Sequence, residues 1–443
     1  MFRIFKSIIF ITFLIVLTSF LFNNSIPVNF IYKDIVVEIS TFYLILSLAF
    51  VILLFLFLQR FLFFFKSISH NYKINSKISN YKKGHESFVK GIVAIANQEH
   101  KKAINESQKI NKYLKDNSLS LLLTSESLKI EKKYDQLYEV YENMLKNPST
   151  HFLGLRGLME QNLNAQDYHH ALVYAEKLFY KNPNINNIYE TISNIIAKTN
   201  NWQKLIDITD QAFKNKIINK NQYSENKSIG LYEVAKIKYL SNQNEALDLI
   251  ENSLKLKNYF PPFVCLYIEI LINLGKINKA KKYLIKAWAF FPHPDLKIWI
   301  KKLAKELNIS YSKFAKAFVA NSNNIDETKI MHTESLIDSK MWKEAREEIK
   351  TLLNHNPLKE VCLLMAKIEE GDSNDPQKIN AWVSRSNYAN LNKIWVCKFT
   401  GISQINWTSL SDTGYFNSLN WSQQKDDRVN YNYDINQSIE SKI

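Results

Sequence analysis

Apolar residues follow two different rhythms along this chain. Near the N-terminus they run unbroken: residues 7–22, "SIIFITFLIVLTSFLF", and 41–58, "TFYLILSLAFVILLFLFL", contain no charge. From residue 85 onward they return every three or four positions among polar residues, which is the period of helices with one buried face.

A helix rises 1.5 Å per residue, so crossing about 30 Å of hydrocarbon takes roughly 20 residues. The second run, prolonged past Arg60 by "FLFFF", is long enough, and the first needs Phe2, Ile4 and Phe5 to reach that length. Two spans, about 4–22 and 41–63, are expected within an anchor of residues 1–65. The first reads as an uncleaved anchor, because "FNNSIPV" offers no small-x-small cleavage site. Between the spans "VNFIYKDIVVEIS" reads as a short outer hairpin around Lys33 and Asp34.

Arg3 and Lys6 precede the first span, and Arg60, Lys66, Lys73, Lys77, Lys82 and Lys83 follow the second. Only Lys33 lies between them, so both termini are expected on the cytoplasmic side of a bacterial inner membrane. Residues 66–84 are expected to be a basic juxtamembrane helix or a linker.

The helical part repeats. "HKKAINESQKI" centres on Ala103, "YDQLYEVYENML" on Leu137, "YHHALVYAEKL" on Ala171 and "NWQKLIDITDQA" on Leu205, each 34 residues after the last. Ala246, Ala280 and Ala345 continue the series at intervals of 41, 34 and 65. A 34-residue period with small residues at one position, four later and seven later is the tetratricopeptide signature. Ala171 with Ala175, and Ala280 with Leu284 and Ala287, show it, and Pro183, Pro292 and Pro357 stand twelve residues after their alanines. The small residues belong where two helices cross. Proline ends the second helix, since it lacks the N–H and disfavours a helical residue before it. Residues 85–387 are therefore expected to form an all-α solenoid of helix pairs, with a divergent pair at 293–328 and a last pair around "GDSNDP". The first helix of each pair should line a concave, protein-binding face.

At the C-terminal end, "WVCKFTGISQINWTSLSDTGYFNSLNW" has the Trp and Gly spacing of a zinc ribbon but a single cysteine, Cys397. Four thiolates are needed to close a tetrahedron around structural zinc. The first ligand pair would be Cys397 and Thr400, the second Leu410 and Thr413. Residues 388–421 are thus expected to be a degenerate, metal-free knuckle with Trp395, Trp407, Phe416 and Trp421 as its core, packed against the last helices. Residues 422–443 read as a disordered polar tail.

Composition adds little chemistry. The net charge is +15 with a pI near 9.3, but only six of the 57 basic residues are Arg, and Lys lacks the planar fork that reads bases and clamps phosphate. No nucleic-acid partner is expected. Three scattered cysteines, Cys265, Cys362 and Cys397, imply no disulfide framework. The nine glycines form no phosphate loop, no catalytic motif is present, and neither an enzyme activity nor a cofactor is expected.

Candidate partner-binding residues are few. His169 and His170 form the one histidine pair, at the start of a second helix. Arg156, in "FLGLRGL", is the only Arg between Arg60 and Arg346, and Gly154 and Gly157 beside it imply close backbone approach.

Taken in order, the two spans, "GHESFVKGIVAIANQEHKKAINESQKI", "SLLLTSESLKIEKKYDQLYEVYENML", "HFLGLRGL", the "LLMAKIEEGD…AWVSR" turn and the tryptophan-bracketed knuckle resemble the HemY family in its alphaproteobacterial form. These are inner-membrane tetratricopeptide proteins associated with late haem biosynthesis. The resemblance implies a scaffold whose partners are haem-pathway enzymes, and it is unconnected with the flavin-dependent oxidase of the same name. Two other readings stay open: an adaptor of the lipopolysaccharide-assembly type, which has one anchor and a four-cysteine knuckle, and a haem or porphyrin carrier using His169, His170 or Cys397.

Overall fold

The computed structural model describes residues 2–32, 35–114, 117–183, 187–322, 325–353 and 357–423, and it divides into two compact units, Met1–Lys133 and Tyr134–Ile443.

The first unit opens with helix α1 (Phe2–Asn23) and an antiparallel hairpin of β1 (Pro27–Tyr32) and β2 (Ile35–Ser40), paired from Pro27↔Ser40 to Tyr32↔Ile35. The expected turn at Lys33 and Asp34 lies outside the described residues. Thr41 closes the open end of the hairpin: its N–H donates to the Ile26 carbonyl, and its hydroxyl accepts from the Ile26 N–H, both at 3.0 Å.

Helix α2 (Thr41–Ala96) then runs 56 residues without a break. Its part Thr41–Phe63 is wholly exposed, with a mean hydropathy of 2.8, and among the described residues it is the one helix long and apolar enough to cross a membrane. The apolar part of α1, Ile11–Asn23, is shorter. Residues 66–84, expected as a helix or a linker, are the interior of α2, so the boundary placed at 84 falls inside a helix. No glycine or proline interrupts 64–83, and nothing there ends the i→i−4 ladder.

On the last turns of α2, Gly84, Ser87, Gly91 and Ala94 form a buried stripe of small residues three or four apart. A Cβ at Gly91 would overlap the Leu123 side chain. The stripe lets α3 (His100–Tyr113) and α4 (Ser118–Ile130) pack closely on α2, with Ala103, Ile110, Leu123 and Leu128 buried between them.

The second unit begins with α5 (Tyr134–Lys146) and continues as seven helix pairs. They are α6 (His151–Asn164) with α7 (Tyr168–Lys181), α8 (Ile188–Lys198) with α9 (Trp202–Lys214), and α10 (Lys220–Tyr239) with α11 (Gln243–Leu256). Then come α12 (Pro261–Asn273) with α13 (Ile277–Phe290), α14 (Pro294–Glu306) with α15 (Tyr311–Val319), α16 (Ile325–Asp338) with α17 (Trp342–Ile349), and α18 (Lys359–Asp372) with α19 (Pro376–Tyr388). Leu137, Ala171, Ala175, Leu205, Ala246, Ala280, Ala287 and Ala345 are all buried.

The period has a backbone cause. Gln98, Lys132, Gln166 and Asn200, 34 residues apart, each take a left-handed conformation where a first helix ends, and Gly275, Asn308 and Lys340 do the same later. After each, the next N–H donates to the carbonyl five residues back at 2.8–3.2 Å. This bond satisfies a free helix-end carbonyl and reverses the chain in one step. The 41-residue interval arises at α10, which has 20 residues against 11 to 14 in its neighbours and so gains about two turns. The divergent stretch 293–328 holds α14 and α15, a helix pair with a short second member.

First helices α10, α12, α14, α16 and α18 touch one after another, whereas among second helices only α13 and α15 approach comparably. The first helices therefore lie on the inner side of the curve.

After α19 the chain forms a three-stranded antiparallel sheet in the order β4-β3-β5, from β3 (Lys393–Cys397), β4 (Ser403–Gln404) and β5 (Leu419–Gln423). The tail was expected to begin at 422. Ser422 and Gln423 instead continue β5, opposite Ile394 and Lys393, because their backbone groups complete the ladder. The rest of the expected tail, 424–443, lies outside the described residues.

Candidate functional site

Asn390 and Asn392, which lead into the small sheet, bind the start of α18: the Lys359 N–H donates to the Asn390 carbonyl at 2.8 Å and Asn392 Nδ2 to Glu360 Oε2 at 3.0 Å. The sheet itself does not pack on the last helix pair, as its position after α19 suggested. It folds back onto the inner face formed by α8, α10, α12 and α14. Trp407 sits among Tyr232, Phe260 and Phe263, with ring centroids 5.6, 5.1 and 5.8 Å away. Phe416 lies 6.5 Å from Trp202, and its N–H donates to Asn194 Oδ1 at 2.8 Å. Trp395 and Trp421 lie 5.4 and 4.1 Å from the His293 ring. Those aromatic partners explain the choice: α8 to α14 offer exposed apolar sockets on the first-helix face, and burying a tryptophan there removes much apolar area from water.

Polar groups are matched as well. Ser409 donates to Glu233 Oε1 at 2.6 Å. Asn417 Nδ2 donates to Asn226 Oδ1 at 3.0 Å, and Asn226 Nδ2 donates in turn to the Tyr189 hydroxyl at 2.9 Å. Burial pushes the Tyr232 phenol up, and it also pushes the His293 imidazole down to about 3, helped by the charge of Lys297, so that ring is neutral. The groove expected to hold a partner is thus occupied over α8–α14 by the chain's own C-terminal module.

Inside the knuckle, Cys397 is 2% exposed and its sulfur faces hydroxyls where thiolates would hold zinc. Thr413 Oγ1 lies 3.4 Å away, Ser418 Oγ 3.5 Å and Ser411 Oγ 4.0 Å. The second pair named from the sequence, Leu410 and Thr413, is corrected to Ser411 and Thr413. Leu410 forms a bridge with Phe416 and packs toward the helical core, and adjacent extended residues point to opposite faces. Burial raises the Cys397 thiol, but hydrogen bonds with Ser418, Thr400, Thr413 and the Phe399 N–H outweigh it and bring the thiol down to about 6. Among the described residues no group of three or more His, Cys, Asp or Glu is placed to hold a metal.

Arg156, His169 and His170 lie elsewhere. Arg156 is on α6, a first helix, exposed and paired through Nε with Glu160 at 2.8 Å. A Cβ at Gly154 would lie 2.8 Å from the Tyr141 carbonyl and one at Gly157 would overlap the Tyr141 ring, so both glycines serve the α5–α6 approach. His169 and His170 start α7, a second helix, away from the layer that lines the groove, and both are exposed. His170 Nδ1 is 2.6 Å from Asp167 Oδ2, while Asp167 Oδ1 accepts from the His170 N–H and so caps α7.

The sheet leaves an opening beside it. Between the α13–α14 turn, the starts of α16 and α18, and the edge of the sheet lies a cleft of about 890 Å³. Asp295, Asp326, Glu327 and Glu360 line it, with Phe290, Phe291, Ile405 and Trp421 at its apolar side. Beneath it Lys297, only 10% exposed at its side chain, holds Glu360 at 2.9 Å, Glu327 at 3.2 Å and Glu334 at 3.4 Å. Burial lowers the affinity of Lys297 for its proton, but the three carboxylates outweigh it and hold the ammonium charged. Burial also raises Glu327 and Glu334, partly offset by Lys297. Local pattern could not have disclosed this cleft, because its acids come from three helices far apart in the chain.

No family model matches the chain, and no curated protein matches it. Among solved structures it is similar to the Naa15/Naa10 complex bound to HypK-THB, at 14% identity over 70% of this chain and 54% of that one, TM-score 0.40. It is also similar to the TPR2AB domain of yeast Sti1 in its pHSP90 complex, at 11% identity over 69% of this chain and 98% of that one, TM-score 0.30. A tetratricopeptide repeat protein from Parabacteroides merdae matches at 11% identity over 56% and 92%, TM-score 0.27. The match spans about half of the first of these (54%). Similarity this low assigns no residue of the chain a role; the recurring helix pairs of the chain itself carry the description as a tetratricopeptide-like array.

Proposed function

We propose that the chain is a membrane-anchored scaffold that holds partner proteins at the cytoplasmic face of a bacterial inner membrane. Its role in this reading is binding, not catalysis. The observation that supports it is α2, in which a long apolar stretch with no buried residue passes without a break into the buried small-residue stripe of the first helix pair. Such a helix would tether the helix pairs that follow it to a bilayer, which raises the local concentration of whatever they bind. Lysines at and beyond the end of the span favour the cytoplasmic side.

The partners we assign are late haem-biosynthesis enzymes. This rests on the resemblance of the spans, repeats and knuckle to the HemY family. Proximity labelling from membranes carrying the full chain, compared with a chain lacking residues 85–420, tests the scaffold. An unchanged set of labelled proteins would sink it. Deletion of the gene followed by assay of porphyrins and of lipopolysaccharide separates the haem assignment from the lipopolysaccharide-adaptor reading: porphyrin accumulation is expected, and a defect in lipopolysaccharide alone would overturn it.

A further inference from the structure

The open cleft beside the sheet has an electrostatic character opposite to that of the chain. The whole molecule carries +15, yet the cleft presents Asp295, Asp326, Glu327 and Glu360, and among the described residues Lys393 is the one cation in its lining. Lys297 below it is one ammonium facing three carboxylates. First-turn positions on α14, α16 and α18 suit Asp295, Asp326, Glu327 and Glu360 to helix N-termini, whose partial positive charge offsets some of this excess. Glu334 lies more than two turns into α16, outside the lining of the cleft, and is held by Lys297 at 3.4 Å.

Carboxylates gathered in one cleft repel one another, and a cation arriving from outside relieves that repulsion. Next to the acids stand large apolar groups in water: Phe290 is 69% exposed and Ile405 80%. Phe290 rests against Tyr259, with ring centroids 5.2 Å apart, and Ile405 follows β4 at the edge of the sheet; both keep most of their surface in water. Acid and exposed aromatic surface side by side fit a segment that carries opposite charge and an apolar side chain together.

We propose that this cleft is a docking site for a partner-protein segment in which Lys or Arg adjoins an aromatic or branched aliphatic residue. The cation sits toward Asp326 and Glu327, and the apolar side chain lies on Phe290 and Ile405. This deepens the scaffold reading and rests on it, since it says which surface of the array takes the partner once the inner face of α8–α14 is filled.

The test uses the full chain in detergent micelles and a random dodecapeptide library displayed on phage. Retained sequences should pair Lys or Arg with Phe, Trp, Leu or Ile. A synthetic peptide of the leading sequence, followed by fluorescence anisotropy, should bind about fivefold or more weakly to Asp326→Asn and to Phe290→Ala. Both positions are exposed, so the variants should keep the wild-type melting curve, and Glu347→Gln on α17 should leave affinity unchanged. Retained sequences without this pairing, or affinity indifferent to both variants, would overturn the proposal. So would undiminished binding after the apolar residues of the peptide are changed to Gly, which would mark general attraction of charges. Self-association of the wild type that Phe290→Ala abolishes in sedimentation would give the cleft to a second copy instead. If the peptide result fails while membrane labelling still depends on residues 85–420, the cleft assignment falls and the scaffold stands.

Discussion

Ser409 donates its hydroxyl to the Glu233 carboxylate at 2.6 Å, joining the C-terminal sheet to α10 across 176 residues of chain. Both side chains are buried, so the hydroxyl is part of what keeps a carboxylate inside the fold. Removing it in Ser409→Ala should cost about 1.5–3 kcal/mol, the range for a hydrogen bond to a charged group. Urea unfolding measures the loss, and hydrogen exchange should localise the loosening to residues 393–423. A variant within about 0.5 kcal/mol of wild type would show that the apolar contacts of Trp407 alone hold the sheet in place.

Packing inside the pairs should be intolerant of bulk. Ala280 is fully buried at the crossing of α12 and α13, and Leu there must displace its neighbours. The expected cost of Ala280→Leu is about 1–3 kcal/mol, read from the urea midpoint. Equal stability would mean that the pairs are looser than their burial implies.

Lys297→Met should be among the most damaging single changes, because it leaves Glu327, Glu334 and Glu360 facing one another without a cation. About 3–5 kcal/mol at neutral pH is expected. Burial holds Glu327 and Glu334 above the usual carboxylate range, so folding favours their protonated forms. Stability contributed by such groups rises as pH falls from their folded value toward the unfolded one. The variant should therefore recover part of its loss in mild acid, relative to wild type measured alongside. A gap in Tm that widens on acidification would contradict this account.

Cys397 titrates in the other direction. Its thiol is held at about 6 against about 8.5 in an unfolded chain, so it contributes stability that is present at high pH and lost as pH falls through 6. The stability difference between wild type and Cys397→Ser should shrink between about pH 9 and pH 5. A difference flat across that range would mean the sulfur is not ionised in the fold.

The hydroxyl nest around Cys397 also predicts a metal site that can be restored. Thr400→Cys, Ser411→Cys and Thr413→Cys together should bind Co²⁺ with the thiolate charge-transfer band of a tetrahedral site. The same triple change with Leu410→Cys in place of Ser411→Cys should not, since Leu410 points to the helical core. Chelators should leave the wild-type Tm unchanged. A cobalt band from the Leu410 set would mean that this loop is placed differently.

Local rules determined much of this protein from its sequence. One apolar run long enough to span, a 34-residue recurrence of small residues and prolines after second helices all act within a turn or a helix pair, so they read directly from neighbouring positions. The single cysteine among the Trp- and Gly-spaced residues was equally visible. Tertiary structure alone decided where the knuckle goes, which hydroxyls surround Cys397, and where the acids gather. Trp407 finds Tyr232, Phe260 and Phe263, and Lys297 finds Glu327, Glu334 and Glu360, only after the helices have stacked. Burial of a long-range surface depends on the curvature of the whole array, and no periodicity in the chain encodes which distant faces that curvature brings together.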